Sequence, residues 1–254
     1  MNYSKYIFTI LCVFVCSLDT ACTRTATTVR QPEFENAKEA LSSGDYGKAT
    51  QLLESGIKHA EKCGTQRVDL SQELADLAKS YLLSGNEEKA RQLIDQSISQ
   101  VESGSGKESN KLIPLLRVRY DLAYQQKNYD QASLAAQRIL DIQKKVLGPN
   151  DSQLIDTYNQ LIAALCVGGK CEDTEPLLKE QLEVRSKSLG PEHPHVAVSL
   201  CLLGESAEKK KDYERALKYY ENALTIRRKT DPMLVRQTEK NVLRVHQKAM
   251  DQDR

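Results

Sequence analysis

The chain has 254 residues, and its 36 Lys and Arg against 35 Asp and Glu leave a net charge of +1. That balance excludes the basic excess of a non-specific nucleic-acid binder and the acidic excess of a disordered tail. Trp is absent, Phe numbers 3, and Gly (12) with Pro (7) make about 7% of the chain where roughly 12% is average. The evenly spaced turn residues of sandwiches and barrels are missing, so an all-α fold is expected.

The first element in chain order is an address. One positive charge in Met1–Lys5 precedes an unbroken, largely apolar run from Tyr6 to Leu18. As a helix those 13 residues would span about 20 Å, short of the roughly 30 Å hydrocarbon core. A charged start, an apolar run of this length and small residues after it predict a secretory signal peptide over residues 1–21, and hence export to the cell envelope. Two exits are open. Asp19-Thr20-Ala21-Cys22 resembles a bacterial lipobox, which would make Cys22 the lipidated N-terminus, although Asp19 stands where Leu is usual. Ordinary cleavage after Ser17 is the other, giving a secreted or periplasmic chain. The polar, Thr-rich residues 22–30 read as a flexible tether.

The body is a repeat. A short phrase ends on a small residue that opens an apolar-periodic helix: GDYGKA at Ala49, GNEEKA at Ala90, KNYDQA at Ala132, GKCEDT at Thr174 and KDYERA at Ala216. The spacings are 41, 42, 42 and 42 residues. Eight residues after each small residue stands Ile57, Ile98, Leu140, Leu182 or Leu224. Ala132, Ala136, Ile139, Leu140 and Ile142 form one stripe, and Leu74, Leu77, Ala78 and Tyr81 another, both at helical spacing. Each unit is therefore a helix pair with faces it cannot bury alone, and stacking the pairs makes one continuous core. Small residues belong where two helices cross beside a tight turn. Gly44, Gly85 and Gly169 suit a positive φ at the end of each first helix.

With Leu147-Gly148-Pro149 and Leu189-Gly190-Pro191 also 42 apart, and the phrase from Cys171 to Leu203, the chain resembles the tetratricopeptide-repeat (TPR) superfamily in its 42-residue, kinesin-light-chain form. The resemblance implies an all-α TPR solenoid of five helix pairs over residues 31–231, with residues 232–254 as a capping helix and tail. It also implies that the first helices line a concave peptide-binding groove. By position within the repeat, the groove candidates are Lys38, Lys79, Arg117, Asp121, Tyr124, Asn159, Gln160 and Glu205. The Asn-rich carboxylate clamp of the best-known grooves is not reproduced, since Cys201, Leu202, Ala75 and Asp76 stand at corresponding positions. The third repeat departs too, with Tyr120 where a small residue is usual and Pro114 near its helix start, so irregular packing against the second repeat is expected. Glu102–Lys107 (ESGSGK) reads as the most flexible joint.

Chemistry is harder to find. ESGSGK lacks the phosphate-loop spacing, because Val101 and Glu108 stand where Gly and Ser or Thr are required. Glu192, His193 and His195 imitate metal ligands, but Pro194 stiffens the segment and no further ligand follows at the right spacing, so an inter-repeat turn is expected. No nucleophile, base and acid can be assembled, and neither an enzyme nor a cofactor or metal is expected. Cys166 and Cys171 flank the fourth inter-helix turn and are the candidate disulfide. The other reading makes Cys166 and Cys201 small apolar fillers of helix faces. On the final helix, Arg236, Lys240, Arg244 and Lys248 form a basic stripe at i+4 spacing. The stripe is either a solvated face or a contact for an acidic partner or anionic lipid. The expected function is a non-catalytic scaffold that binds a peptide or protein; the alternative is a self-assembling envelope component.

Overall fold

The computed structural model describes residues 32–62 and 69–252. Among them are eleven α-helices, one 3-10 helix and no strand. In order these are α1 (Pro32–Ser42), α2 (Tyr46–Lys62), α3 (Ser71–Leu83), α4 (Glu87–Ser105), α5 (Leu112–Gln125) and α6 (Tyr129–Leu147). They continue with α7 (Leu154–Val167), the 3-10 helix (Cys171–Thr174), α8 (Glu175–Leu189), α9 (Pro194–Lys209), α10 (Tyr213–Thr230) and α11 (Pro232–Gln252). The signal stretch, the tether and Cys22 lie outside the described residues. The chain divides at Gly104–Ser105 into two compact units. In the first, α1 packs on α2 and α2 on α3, around Phe34, Ala37, Leu53, Ile57 and Leu77, with Leu93 of α4 against them. In the second, each helix from α5 to α11 packs on the next. One cluster there joins Tyr120, Ala132, Leu140, Tyr158 and Leu161, and another joins Val196, Leu200, Tyr220, Ile226 and Val245.

The recurring turn phrase works through its backbone. Its first residue ends a helix with positive φ: Gly44 (79°), Gly85 (83°), Lys127 (58°), Gly169 (82°) and Lys211 (59°). In two repeats Lys thus holds a conformation that costs a side-chain-bearing residue about 1–2 kcal/mol. The next residue caps the second helix. Asp45 accepts from the Lys48 N–H at 3.0 Å, Asn128 from Gln131 at 3.2 Å and Asp212 from Arg215 at 3.1 Å. The fourth repeat puts Lys170 there, which has no acceptor to cap with. Its helix start tightens into the 3-10 turn Cys171–Thr174, and Cys171 is joined to Cys166 on the last turn of α7 by a disulfide. Lys170 turns outward to Asp130, 2.6 Å away.

The small residues sit at the closest approach. Ala49, Ala90, Ala132 and Ala216 are 0% exposed and Thr174 is 1%. Elsewhere volume is conserved in pairs. Positions 120, 162 and 204 hold Tyr, Ile and Gly, while positions 136, 178 and 220 hold Ala, Leu and Tyr. The large residue has moved to the opposite helix by the fifth repeat. A Cβ on Gly204 would stand 2.9 Å from the buried Tyr220 ring. Within the second unit, Tyr120 is buried and its hydroxyl donates to the Gln160 carbonyl at 3.2 Å. Pro114 is the third residue of α5, where an N–H would have no partner within the helix. The joint expected at Glu102–Lys107 is helical through Ser105, and the chain turns only at Gly106 (φ 89°). Ala90→Leu or Ala132→Leu is expected to cost about 1–3 kcal/mol by overpacking, read as a fall in the urea midpoint.

Candidate functional site

The groove candidates fall in both units. Lys38, on α1 of the first unit, pairs with Glu35 at 3.8 Å, and Lys79 is exposed on α3. The second unit holds the other six, on α5, α7 and α9. These three helices are neighbours: Tyr120 on α5 reaches the Gln160 carbonyl on α7, and α7 and α9 share the walls of a small cleft. Arg117, Asn159 and Glu205 are exposed, and Asp121 and Gln160 are half-buried. Tyr124 stacks on Tyr120 at 5.6 Å and meets Tyr129 edge-on at 5.3 Å, so its ring is already engaged.

Asn159 has a second task that its position in the repeat did not reveal. Its Oδ1 accepts from Gln181 Nε2 at 2.8 Å and from Arg185 at 2.9 Å. Arg185 is buried on α8 and also donates to Ser199 Oγ at 2.6 Å and to the His195 carbonyl at 3.3 Å. Ser199 in turn donates to Gln181 Oε1 at 3.3 Å. All of these partners are neutral, and burial pulls the Arg185 pKa down. The same register recurs in the flanking repeats. Gln143, 42 residues earlier, accepts from Thr157 at 2.7 Å; Arg227, 42 later, donates to Thr238 at 2.5 Å beside the buried Asn241. Positions 143, 185 and 227 thus form a polar ladder inside the second unit. Applying the 42-residue period to polar residues would have found it, but an Arg on an amphipathic helix reads as a solvated face.

Charge elsewhere is largely committed to joining helices. Glu180 on α8 accepts from the Tyr158 hydroxyl at 2.7 Å and from Lys144 on α6 at 2.6 Å. Glu175 gathers Lys179 at 2.8 Å, Lys210 at 2.6 Å and Arg215 at 3.4 Å; the Lys179 and Lys210 bonds hold its pKa down at about 2 despite burial. Glu208 on α9 binds Arg244 at 2.8 Å and Lys248 at 2.9 Å, and Arg244 above all pulls its pKa down to about 2. The basic stripe of α11 is therefore split: Arg244 and Lys248 clamp the cap to α9, which leaves Arg236 and Lys240 as its outward part. His193 caps α9, its Nδ1 accepting from the His195 N–H at 3.2 Å, and Glu192 pairs with Lys229. Among the described residues no three His, Cys, Asp or Glu side chains converge as metal ligands, and no helix is long and apolar enough to cross a membrane.

The cleft between α7 and α9 has a volume of about 50 Å³. Ile162, Leu178 and Leu202 line it with Glu205, Ser206 and Lys209, and the disulfide forms part of the wall. The Ser206 hydroxyl is buried with no partner among the described residues. Cys201, by contrast, is a buried free thiol whose pKa burial pushes up.

Helical hairpins stacked at a 42-residue period, with small residues at each crossing, define an α-helical repeat protein of the solenoid class. Residues 153–229 match the tetratricopeptide-repeat family model. No curated protein sequence matches the chain. A putative kinesin light chain from Podosopora anserina, with nearly identical TPR-like repeats, is similar in structure with a TM-score of 0.63 at 19% identity, over 80% of this chain and 100% of that one. BtubC (BKLC) from P. vanneervenii is similar with a TM-score of 0.57 at 20% identity, over 85% of each chain. The family model covers residues 153–229, and the chain is similar in fold to these solved repeat structures.

Two outcomes follow from the site's bonding. Asn159→Ala removes one of the three acceptors of a buried guanidinium and is expected to lower stability by about 1–3 kcal/mol, measured by urea denaturation. Glu208 has a folded pKa of about 2 against an ordinary 4.5, so its clamp on Arg244 and Lys248 stabilises fully above the ordinary value and is lost as pH falls toward the folded one. The stability gap between the parent and Glu208→Gln should be widest near neutral pH and should close toward about pH 2 in a urea series.

Proposed function

We propose that the protein is a non-catalytic scaffold that binds a peptide or protein along the surface of α5, α7 and α9. The supporting observation is the row of exposed polar side chains on consecutive first helices, Arg117, Asn159 and Glu205, while Glu175, Glu180 and Glu208 are spent on joining helices. Arg117 and Glu205 carry opposite charges at the two sides of this face, which suits an extended ligand with charges in the opposite order. Repeat stacks of this kind present such surfaces to partners, and fold alone names none of them. Immobilised protein should recover a partner from envelope extract, and an Arg117→Glu, Glu205→Lys double variant with an unchanged melting curve should lose it. Recovery unaffected by the double variant would move binding to another face. Asn159 is unsuitable for this test because its substitution acts on stability.

A second reading, self-assembly, is favoured by the apolar side chains that α11 exposes: Met233 is 91% exposed, Leu243 69% and Met250 53%. Light scattering after size exclusion separates the readings, since a monomer at high concentration excludes assembly through this helix.

We further propose that residues 1–21 direct export and that Cys22 carries a lipid anchor, on the sequence grounds given above. Residues 23–31 would then tether the first repeat within about 30 Å of the bilayer. Cys22→Ser is expected to move the protein from the membrane fraction to the soluble exported fraction. If its distribution is unchanged, the anchor is absent, and cleavage after Ser17 or no cleavage takes its place.

A further inference from the structure

We propose that the Cys166–Cys171 disulfide is a thiol-exchange site, accepting the thiol of a cysteine side chain that a basic peptide presents at the mouth of the cleft between α7 and α9. The bond is placed for access: both cysteines are half-buried, and both line the cleft beside its apolar walls. The two sulfurs are not equivalent. Cys171 Sγ lies 3.9 Å from the Lys209 ammonium, which stabilises a thiolate there. Cys166 sits on the last turn of α7, among carbonyl ends that disfavour negative charge. The electrostatics therefore make Cys171 the leaving sulfur and Cys166 the one attacked.

The step balances without an oxidant or reductant. An incoming thiolate attacks Cys166 Sγ and the Cys166–Cys171 bond breaks. A mixed disulfide forms on Cys166, and the electron pair leaves on Cys171, whose thiolate faces Lys209. Return attack by Cys171 expels the peptide and restores the bond. Ser206 supplies the second feature of a built site, because its buried hydroxyl lines the cleft and has no partner among the described residues. It is a hydrogen-bond donor available to the entering sulfur. Glu172 and Glu205 outweigh the single positive charge of Lys209 on the cleft wall and set the preference for a basic peptide. The proposal extends the groove reading, because Glu205 belongs to both surfaces, yet its chemistry needs no natural ligand to be tested.

The full chain with its disulfide formed is incubated with acetyl-Lys-Cys-Lys-amide or acetyl-Glu-Cys-Glu-amide, quenched in acid and mapped by mass spectrometry. Each rate is divided by that peptide's rate with 2-hydroxyethyl disulfide, which removes differences in intrinsic thiol reactivity. The expected result is peptide mass on Cys166, a normalised rate at least about threefold higher for the basic peptide, and a loss of at least about threefold in Lys209→Gln that Lys209→Arg restores. Circular dichroism confirms that each variant stays helical. Peptide on Cys171, an unchanged rate in Lys209→Gln, or equal normalised rates for the two peptides would overturn the proposal. Arg117→Glu, on α5, separates this site from groove binding: exchange should persist in it even where partner recovery is lost.

Discussion

The close crossing of two helices beside each tight turn is the constraint on which the rest depends. At that crossing only a residue with little side chain leaves the axes near enough for their apolar stripes to meet. Ala49, Ala90, Ala132, Thr174 and Ala216 occupy it and are essentially without exposed surface. Once the crossing is fixed, residues three and eight positions onward fall on the inner face, and successive hairpins stack. Variation is then absorbed in pairs, as where Tyr120 opposite an Ala position gives way to Gly204 against Tyr220. What is conserved from repeat to repeat is the filled volume, not the residue in each place.

The same period organises the polar interior of the second unit. Gln143, Arg185 and Arg227 stand at one position of successive second helices, and each hydrogen-bonds a side chain of the helix that follows: Thr157, Ser199 and Thr238. A buried guanidinium held by neutral groups tolerates little displacement, since each lost bond leaves a charge without solvent or partner. The ladder thereby fixes how neighbouring hairpins seat on one another, and through Asn159 it reaches the exposed face proposed for binding. The cap α11 repeats the device with Thr238 and adds the outer clamp of Arg244 and Lys248 on Glu208.

The fourth repeat shows how one local departure can create a chemically distinct place. Lys170 replaces the capping Asp or Asn of the turn, the second helix opens as a 3-10 turn, and a disulfide holds the hairpin together. A capping side chain would have closed this end with hydrogen bonds. Here the closure is a covalent bond beside a cleft, with an ammonium group next to one sulfur. The missing cap and the disulfide are therefore parts of one local departure.

The all-α fold, the five hairpins, their turns and the small crossing residues were legible in the sequence by itself. Each depends on residues close along the chain, and a 42-residue period repeats the signal five times. The positive φ at Lys127 and Lys211 was not legible, because Lys carries no mark of a left-handed turn; only the register shared with Gly85 and Gly169 reveals it. The roles of charged residues were least legible. Arg185 and Glu208 look like members of solvated faces, and Arg244 and Lys248 like a free basic stripe, until the helices that supply their partners are in place. Periodicity decides which side of a helix turns inward, whereas burial of a long polar side chain depends on what the neighbouring hairpin places against it. That is a property of packing between segments about 10 to 40 residues apart, and only the tertiary structure decides it.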